Sequence, residues 1–110
     1  MMSREDPVAA MTLKPRIIEA ICAVYDPEIP VNIHELGLIY DVKVGTGGVV
    51  TVVMTLTAPA CPSAQMLPLE VESRVREVPG VTDVRVDVVW DPPWTPDRMS
   101  EAARLQLGML

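Results

Sequence analysis

The sequence predicts a two-layer α/β (α+β) domain in the order α-β-β-α-β, with a small three-stranded mixed sheet, helices on one face and a further C-terminal helix. Apolar residues recur at spacings of three and four over residues 12–25 and 64–78. They alternate over 38–44, 49–57 and 81–90, and glycine- or proline-rich junctions separate the five stretches. Amphipathic helices that each carry one apolar stripe must bury it, and the apolar face of such a sheet is the surface available.

The first helix is read over Thr12 to Tyr25, with Leu13, Ile17, Ile21 and Val24 as its stripe, Thr12 as N-cap and Pro15 in the first turn. Asp26-Pro27-Glu28-Ile29-Pro30 stops it, because each proline lacks a backbone donor and disfavours helix in the residue before it. The stretch from Asp26 to Gly37 then reads as a loop. Leu38, Tyr40, Val42 and Val44 point one way along the first strand, and Gly45-Thr46-Gly47-Gly48 is turn chemistry. The second strand, Val49 to Thr57, sets Val50, Val52, Met54 and Leu56 on one face, opposite Thr51, Val53, Thr55 and Thr57. A second helix carries Ala64, Leu67, Val71, Val75 and Val78 and ends at Pro79-Gly80. Pro68 means that this helix is either kinked near its start or begins at Pro68 itself. The third strand, Val81 to Trp90, turns Val84, Val86, Val88 and Trp90 inward. It is expected parallel to the second strand across the helical crossover, with strand order 2-1-3. After the Asp91-Pro92-Pro93-Trp94 bend, Thr95 and Pro96 read as N-cap and first residue of a short helix ending near Gly108.

The 110 residues make one domain, with a loose leader at 1–11 and a single unit over 12–110 that includes a C-terminal extension, 91–110. At this size about 65% of the unfolded chain's surface is buried on folding, enough for a core without staples. Fifteen acidic against nine basic side chains, net charge -6, have the wrong sign for binding nucleic acid through charge. Neither a secretory nor a transit peptide is readable and no apolar run approaches the ~20 residues of a membrane span, so the expected location is cytoplasmic. The two cysteines, Cys22 and Cys61, are then expected as thiols. His34 is the only histidine, so no charge-relay set with several histidines can be drawn, and there is no CxxC or HExxH pattern for a complete metal site.

Cys61 carries the most chemistry, standing between prolines after the second strand in Thr55-Leu56-Thr57-Ala58-Pro59-Ala60-Cys61-Pro62. With Cys61 as N-cap and Pro62 as first helical residue, free backbone N–H groups would lower the thiol's pKa and suit it to ligate metal or act as a nucleophile. The alternative is a buried small hydrophobe, which is the expectation for Cys22 beside the stripe of the first helix. Asp26 and Glu28 flank Pro27, where a stiff loop can aim a carboxylate at Cys61 or leave both as solvated turn acids. Asn32, His34 and Glu35 form a second polar cluster; His34 is read either as a ligand or as an ordinary surface residue. Trp90 and Trp94 straddle the proline bend, either as an exposed aromatic docking surface or with Trp90 capping the core and Trp94 pinning the last helix.

Three segments in order resemble a known family over residues 14–108: Asp26-Pro27-Glu28-Ile29-Pro30-Val31-Asn32-Ile33 leading to Leu36-Gly37-Leu38-Ile39-Tyr40; the Thr55 to Pro62 segment; and Asp91-Pro92-Pro93-Trp94-Thr95-Pro96-Asp97-Arg98-Met99-Ser100. The chain resembles the small iron-sulfur assembly domain of bacterial SufT proteins, with PaaD-like proteins and the eukaryotic cytosolic iron-sulfur targeting component as relatives. The third segment resembles the extension of the SUF-associated branch, whereas Pro68 departs from a pattern in which the helix is unbroken.

The resemblance implies a non-enzymatic maturation factor of the SUF system that assists delivery of iron or a cluster to apo-proteins through Cys61. Asp26, Glu28, Thr55 and Thr57 would support that cysteine. A cluster usually takes four thiolates, so one chain cannot hold an all-cysteine cluster; two copies of Cys61 in a homodimer, with carboxylates, His34 or an external thiol, would make an open and labile site. The implied cofactor is a transient iron or iron-sulfur cluster, and the implied partners are SUF assembly proteins and apo-clients. The rival reading is a metal-free adaptor that docks assembly components or clients through the Pro92-Trp94 bend, with Trp94 and Pro93 as the partner-binding residues, and through the C-terminal helix. A thiol enzyme using Cys61 with Asp26 or Glu28 as base is the weakest, since so small a domain offers little concave volume.

Overall fold

The computed structural model of the chain describes residues 7–26, 29–57 and 64–108. Helix α1 (Pro7–Ile21) begins before Thr12, so residues 7–11 are helix and not leader. Ala10, Leu13, Ile17 and Ile21 form one buried stripe that starts a turn earlier than the expected N-cap. Thr12 instead sits inside the helix with its hydroxyl donating to the Val8 carbonyl at 3.1 Å. Pro15 consequently occupies the helix interior, where a missing hydrogen bond and ring crowding cost about 3 kcal/mol. Burying each large apolar side chain of the stripe contributes about 1.5–3 kcal/mol and carries the helix through.

Strands β1 (Ile39–Val44) and β2 (Val49–Met54) pair antiparallel around the Thr46–Gly48 turn, with Val42 opposite Val52 and Val44 opposite Val50. Their register shifts between Ile39 and Asp41, around Tyr40, which is half-buried, whereas Val42 and Val44 enter the core. Helix α2 (Leu67–Arg76) follows a short 3-10 turn, Ala64–Met66. Of the two starts foreseen for α2, the one at Pro68 is realised within a residue: the proline lies in the first turn, where no helical bond is lost.

Strand β3 (Asp83–Val88) returns parallel to β2, with Val50 beside Val84 and Met54 beside Val88. The order among the described residues is β1-β2-β3, which corrects the expected 2-1-3. β2 is the most apolar strand and therefore takes the centre, while a crossover as short as α2 sets β3 down next to the strand it left. Trp90 is another correction: it lies beyond β3, 48% exposed, and contributes nothing to the inward face. Helices α1 and α2 pack on each other and on the sheet.

The C-terminal segment is divided. Pro96–Arg98 form a 3-10 turn after Thr95, and a separate helix α3 (Glu101–Gln106) starts at Ser100, whose hydroxyl accepts from the Ala103 N–H. Met99 and Ala103 are buried, and Gly108 follows the last helical turn at φ +73°.

Candidate site at the end of the central strand

The stretch after α1 is an irregular loop anchored like core. Val31, Ile33, Leu36 and Leu38 are all buried. Its base is tied by an isolated bridge between Tyr25 and Asn32 and by the Ile33 N–H donating to the Val24 carbonyl at 2.9 Å. Asn32 accepts the Glu35 N–H on its side chain at 2.9 Å and the Leu36 N–H on its carbonyl at 3.0 Å, closing one tight turn before Gly37. The polar Asn32-His34-Glu35 cluster is thus built first as a turn, with His34 half-buried and its carbonyl taken by the Gly37 N–H.

Asp26 lies at the head of this loop, buried at 6% exposure, and its Oδ1 accepts the Ile29 N–H at 3.3 Å. Thr55, one residue past β2, is fully buried and donates its N–H to the Leu38 carbonyl at 2.8 Å. Leu38 in turn donates to Ile33, and Ile33 to Val24, so one hydrogen-bonded frame connects the end of α1, the loop and the end of β2. Thr55 belongs to that frame and Asp26 lies two residues beyond Val24 at its edge; a polar side chain buried in an otherwise apolar region is the informative exception to ordinary burial. Among the described residues the Thr55 Oγ1 has no protein partner. Thr57, two residues further along, is half-buried.

Cys61 and Glu28 lie outside the described residues. The expectation that Cys61 caps the second helix is corrected at the helix itself: the N-cap of α2 is Met66, and Leu67 and Pro68 open it. Among the described residues no three His, Cys, Asp or Glu side chains are grouped as a metal ion would need.

Cys22 is half-buried, and burial pushes its thiol up from the ordinary 9.0, reinforced by the nearby carboxylates of Glu35 and Glu19. A thiol held protonated is a packing group at neutral pH, as expected. Its raised pKa makes folding insensitive to this group below about 9 and less favourable as the pH rises above it, because the unfolded chain ionises first. Iodoacetamide at pH 8 is expected to label Cys22 several-fold more slowly in the native protein than in urea, read by peptide mass mapping. Equal rates would show that the thiol is neither shielded nor shifted.

Trp94 does not stand free on the bend. It is half-buried, and its indole N–H donates to the Leu36 carbonyl at 2.8 Å, while Pro93 is exposed beside it. Trp94 therefore pins the chain, as one of the two expectations had it, but onto the loop. Two side-chain contacts were not foreseen. Ser100 Oγ–H donates to the Glu35 carboxylate, and Arg98 lies over the Tyr40 ring, 4.7 Å from its centroid. The Met99-Ser100-Glu101 sequence signals the helix start at Ser100, since serine before an acidic residue is a good N-cap, but nothing local points to Glu35 as its partner.

The class of fold is a small α-β-β-α-β domain in which the central β2 pairs antiparallel with β1 and parallel with β3, with a core-anchored loop before β1. A sequence model described as iron-sulfur cluster assembly protein matches residues 14–88, and the chain belongs to that family. It is 52% identical over 94 residues to a Porphyromonas gingivalis protein named Fe-S protein maturation auxiliary factor, covering 86% of this chain and 90% of that one. It is 44% identical over 86 residues to the Staphylococcus aureus Fe-S protein maturation auxiliary factor SufT, covering 78% of this chain and 98% of that one. The fold is similar to a crystal structure of a domain of unknown function from Bacillus anthracis, with TM-score 0.87, 34% identity, and coverage of 96% of this chain and 100% of the other. A conserved hypothetical protein from Thermotoga maritima superposes with TM-score 0.76 at 36% identity, covering 97% and 99%. Among the described residues no helix is long and apolar enough to cross a membrane.

Proposed function

We propose that this protein is a non-enzymatic auxiliary factor for iron-sulfur protein maturation in the SUF system, working in the cytoplasm with SUF assembly proteins and apo-clients. The observation that carries the reading is the near end-to-end match to relatives named as such factors. Iron or a cluster is the cargo. Cys61 is its transient ligand, supported by Asp26, Glu28, Thr55 and Thr57. The burial of the Asp26 carboxylate supports this over a solvated turn acid, and the buried hydroxyl of Thr55 adds a second polar group to the same region. A single thiolate per chain leaves a cluster short of the usual four, so a bound cluster would be shared with a second copy or with external thiols and exchanged readily. Ready exchange suits transfer more than storage.

The test is anaerobic reconstitution of the purified protein with ferrous iron and sulfide beside Cys61→Ser, comparing visible absorption after desalting. A chromophore is expected in the parent protein and its loss in the variant. No chromophore in either would overturn iron handling; an equal chromophore in both would overturn the role of Cys61.

A further inference from the structure

We propose that residues 91–108 form an internal strap that fixes the loop bearing Asp26, with Trp94 as a positioning residue; the link to iron rests on the reading above. The strap lies beyond the residues that the family model matches, 14–88. It nevertheless reaches back to the loop at three carbonyls. The Trp94 indole N–H donates to the Leu36 carbonyl at 2.8 Å, the Ser100 N–H to the Glu35 carbonyl at 2.9 Å, and the Gln106 side-chain amide to the Pro30 carbonyl at 3.2 Å. At the far end the Tyr40 hydroxyl donates to the Pro92 carbonyl at 2.8 Å, and Arg98 covers the same ring. Buried Met99 and Ala103 root the strap in the core between these bonds.

The loop's own donors leave some of its carbonyls for the strap. The backbone-to-backbone bonds within the loop run from its N–H groups at 31, 33, 36, 37 and 38 to the carbonyls of Val24, Ile29, Asn32, Ile33 and His34, while the Ile29 and Glu35 N–H groups go to side chains. The carbonyls of Pro30, Glu35 and Leu36 are the ones the strap takes. Carbonyls of an irregular loop have no ladder to satisfy them, so an outside donor decides where the loop lies. Asp26 follows, because Tyr25 bridges Asn32 within the strapped loop and Asp26 accepts from Ile29.

Trp94→Phe keeps an aromatic ring and removes the donor. Two readings are taken on the full chain: amide hydrogen exchange at Ile33, Leu36 and Leu38, and the carbon-13 shift of the Asp26 carboxyl at one fixed pH. Loss of one hydrogen bond to a loop carbonyl is expected to speed exchange at these amides about five- to tenfold, with amides of β2 unchanged, and to move the Asp26 signal. A change in overall stability alone would not move the Asp26 signal in the folded protein. Unchanged exchange overturns the strap, and faster exchange with an unmoved Asp26 signal overturns the positioning. If Trp94→Phe fails to fold, Gln106→Ala, at an exposed side chain, is read in the same two ways at the Pro30 end of the loop. Neither reading uses iron, so failure of the iron reading shows separately in the Cys61→Ser comparison.

Discussion

Ile33→Ala is expected to lower the free energy of unfolding by about 2–5 kcal/mol, the range for truncating a buried aliphatic side chain in a core that relaxes only partly. Ile33 is fully buried although it sits in a loop. Its N–H and carbonyl also join Val24 to Leu38, so the cavity would open at the joint between α1 and β1. A domain of this size has roughly 5–15 kcal/mol in all, so the variant would approach the margin of folding. Urea unfolding checks it: the midpoint should fall with the slope little changed. A loss below about 1 kcal/mol, the scale of an ordinary surface site, would place the loop outside the cooperative core.

That loop shows where sequence reading stops. In β2 a period of two is visible directly in Val50, Val52 and Met54, and in α2 the spacing of Leu67, Val71 and Val75 is visible in the same way. Repetition makes such elements legible, because each residue confirms the facing of the next. Val31, Ile33, Leu36 and Leu38 are just as buried but follow no single period, since the Asn32 turn interrupts them. The start of α1 was misplaced for a related reason: Thr12 and Pro15 together imitate a helix beginning, and only the burial of Ala10 shows that the stripe runs further. Strand order was not legible, because 2-1-3 and 1-2-3 bury the same faces and differ only in which edges meet.

The candidate site divides along the same line. Asp26 is singled out by its place beside Pro27 and Thr55 by the resemblance alone, its strand position putting it opposite the apolar face; both prove to be buried polar groups. Cys61 and Glu28 rest on the resemblance and the chemistry of their neighbours. The contacts of the strap were illegible because they join Leu36 to Trp94, Glu35 to Ser100 and Tyr40 to Arg98 across long stretches of chain, and no local pattern encodes such a partner.

Gly37→Ala is expected to cost about 2–5 kcal/mol, and Gly47→Ala only about 1–2 kcal/mol, although both glycines have the same left-handed backbone. Their φ values are +81° and +79°. Any residue with a Cβ carries about 1–2 kcal/mol of strain in that conformation, which is the whole cost at Gly47, where a methyl group would meet nothing within 4 Å. At Gly37 the methyl would also run into the backbone carbonyl of Arg98, and forced overpacking adds about 1–3 kcal/mol. Neither Gly37 nor Arg98 can yield by rotating a side chain, so the strap must lift or the loop must drop. The difference between the two variants in urea unfolding therefore isolates the close approach of strap and loop from the strain that both share. Equal losses would mean that the strap gives way freely at Arg98, and the contacts of Trp94 and Ser100 on either side of it would then not hold the loop in place.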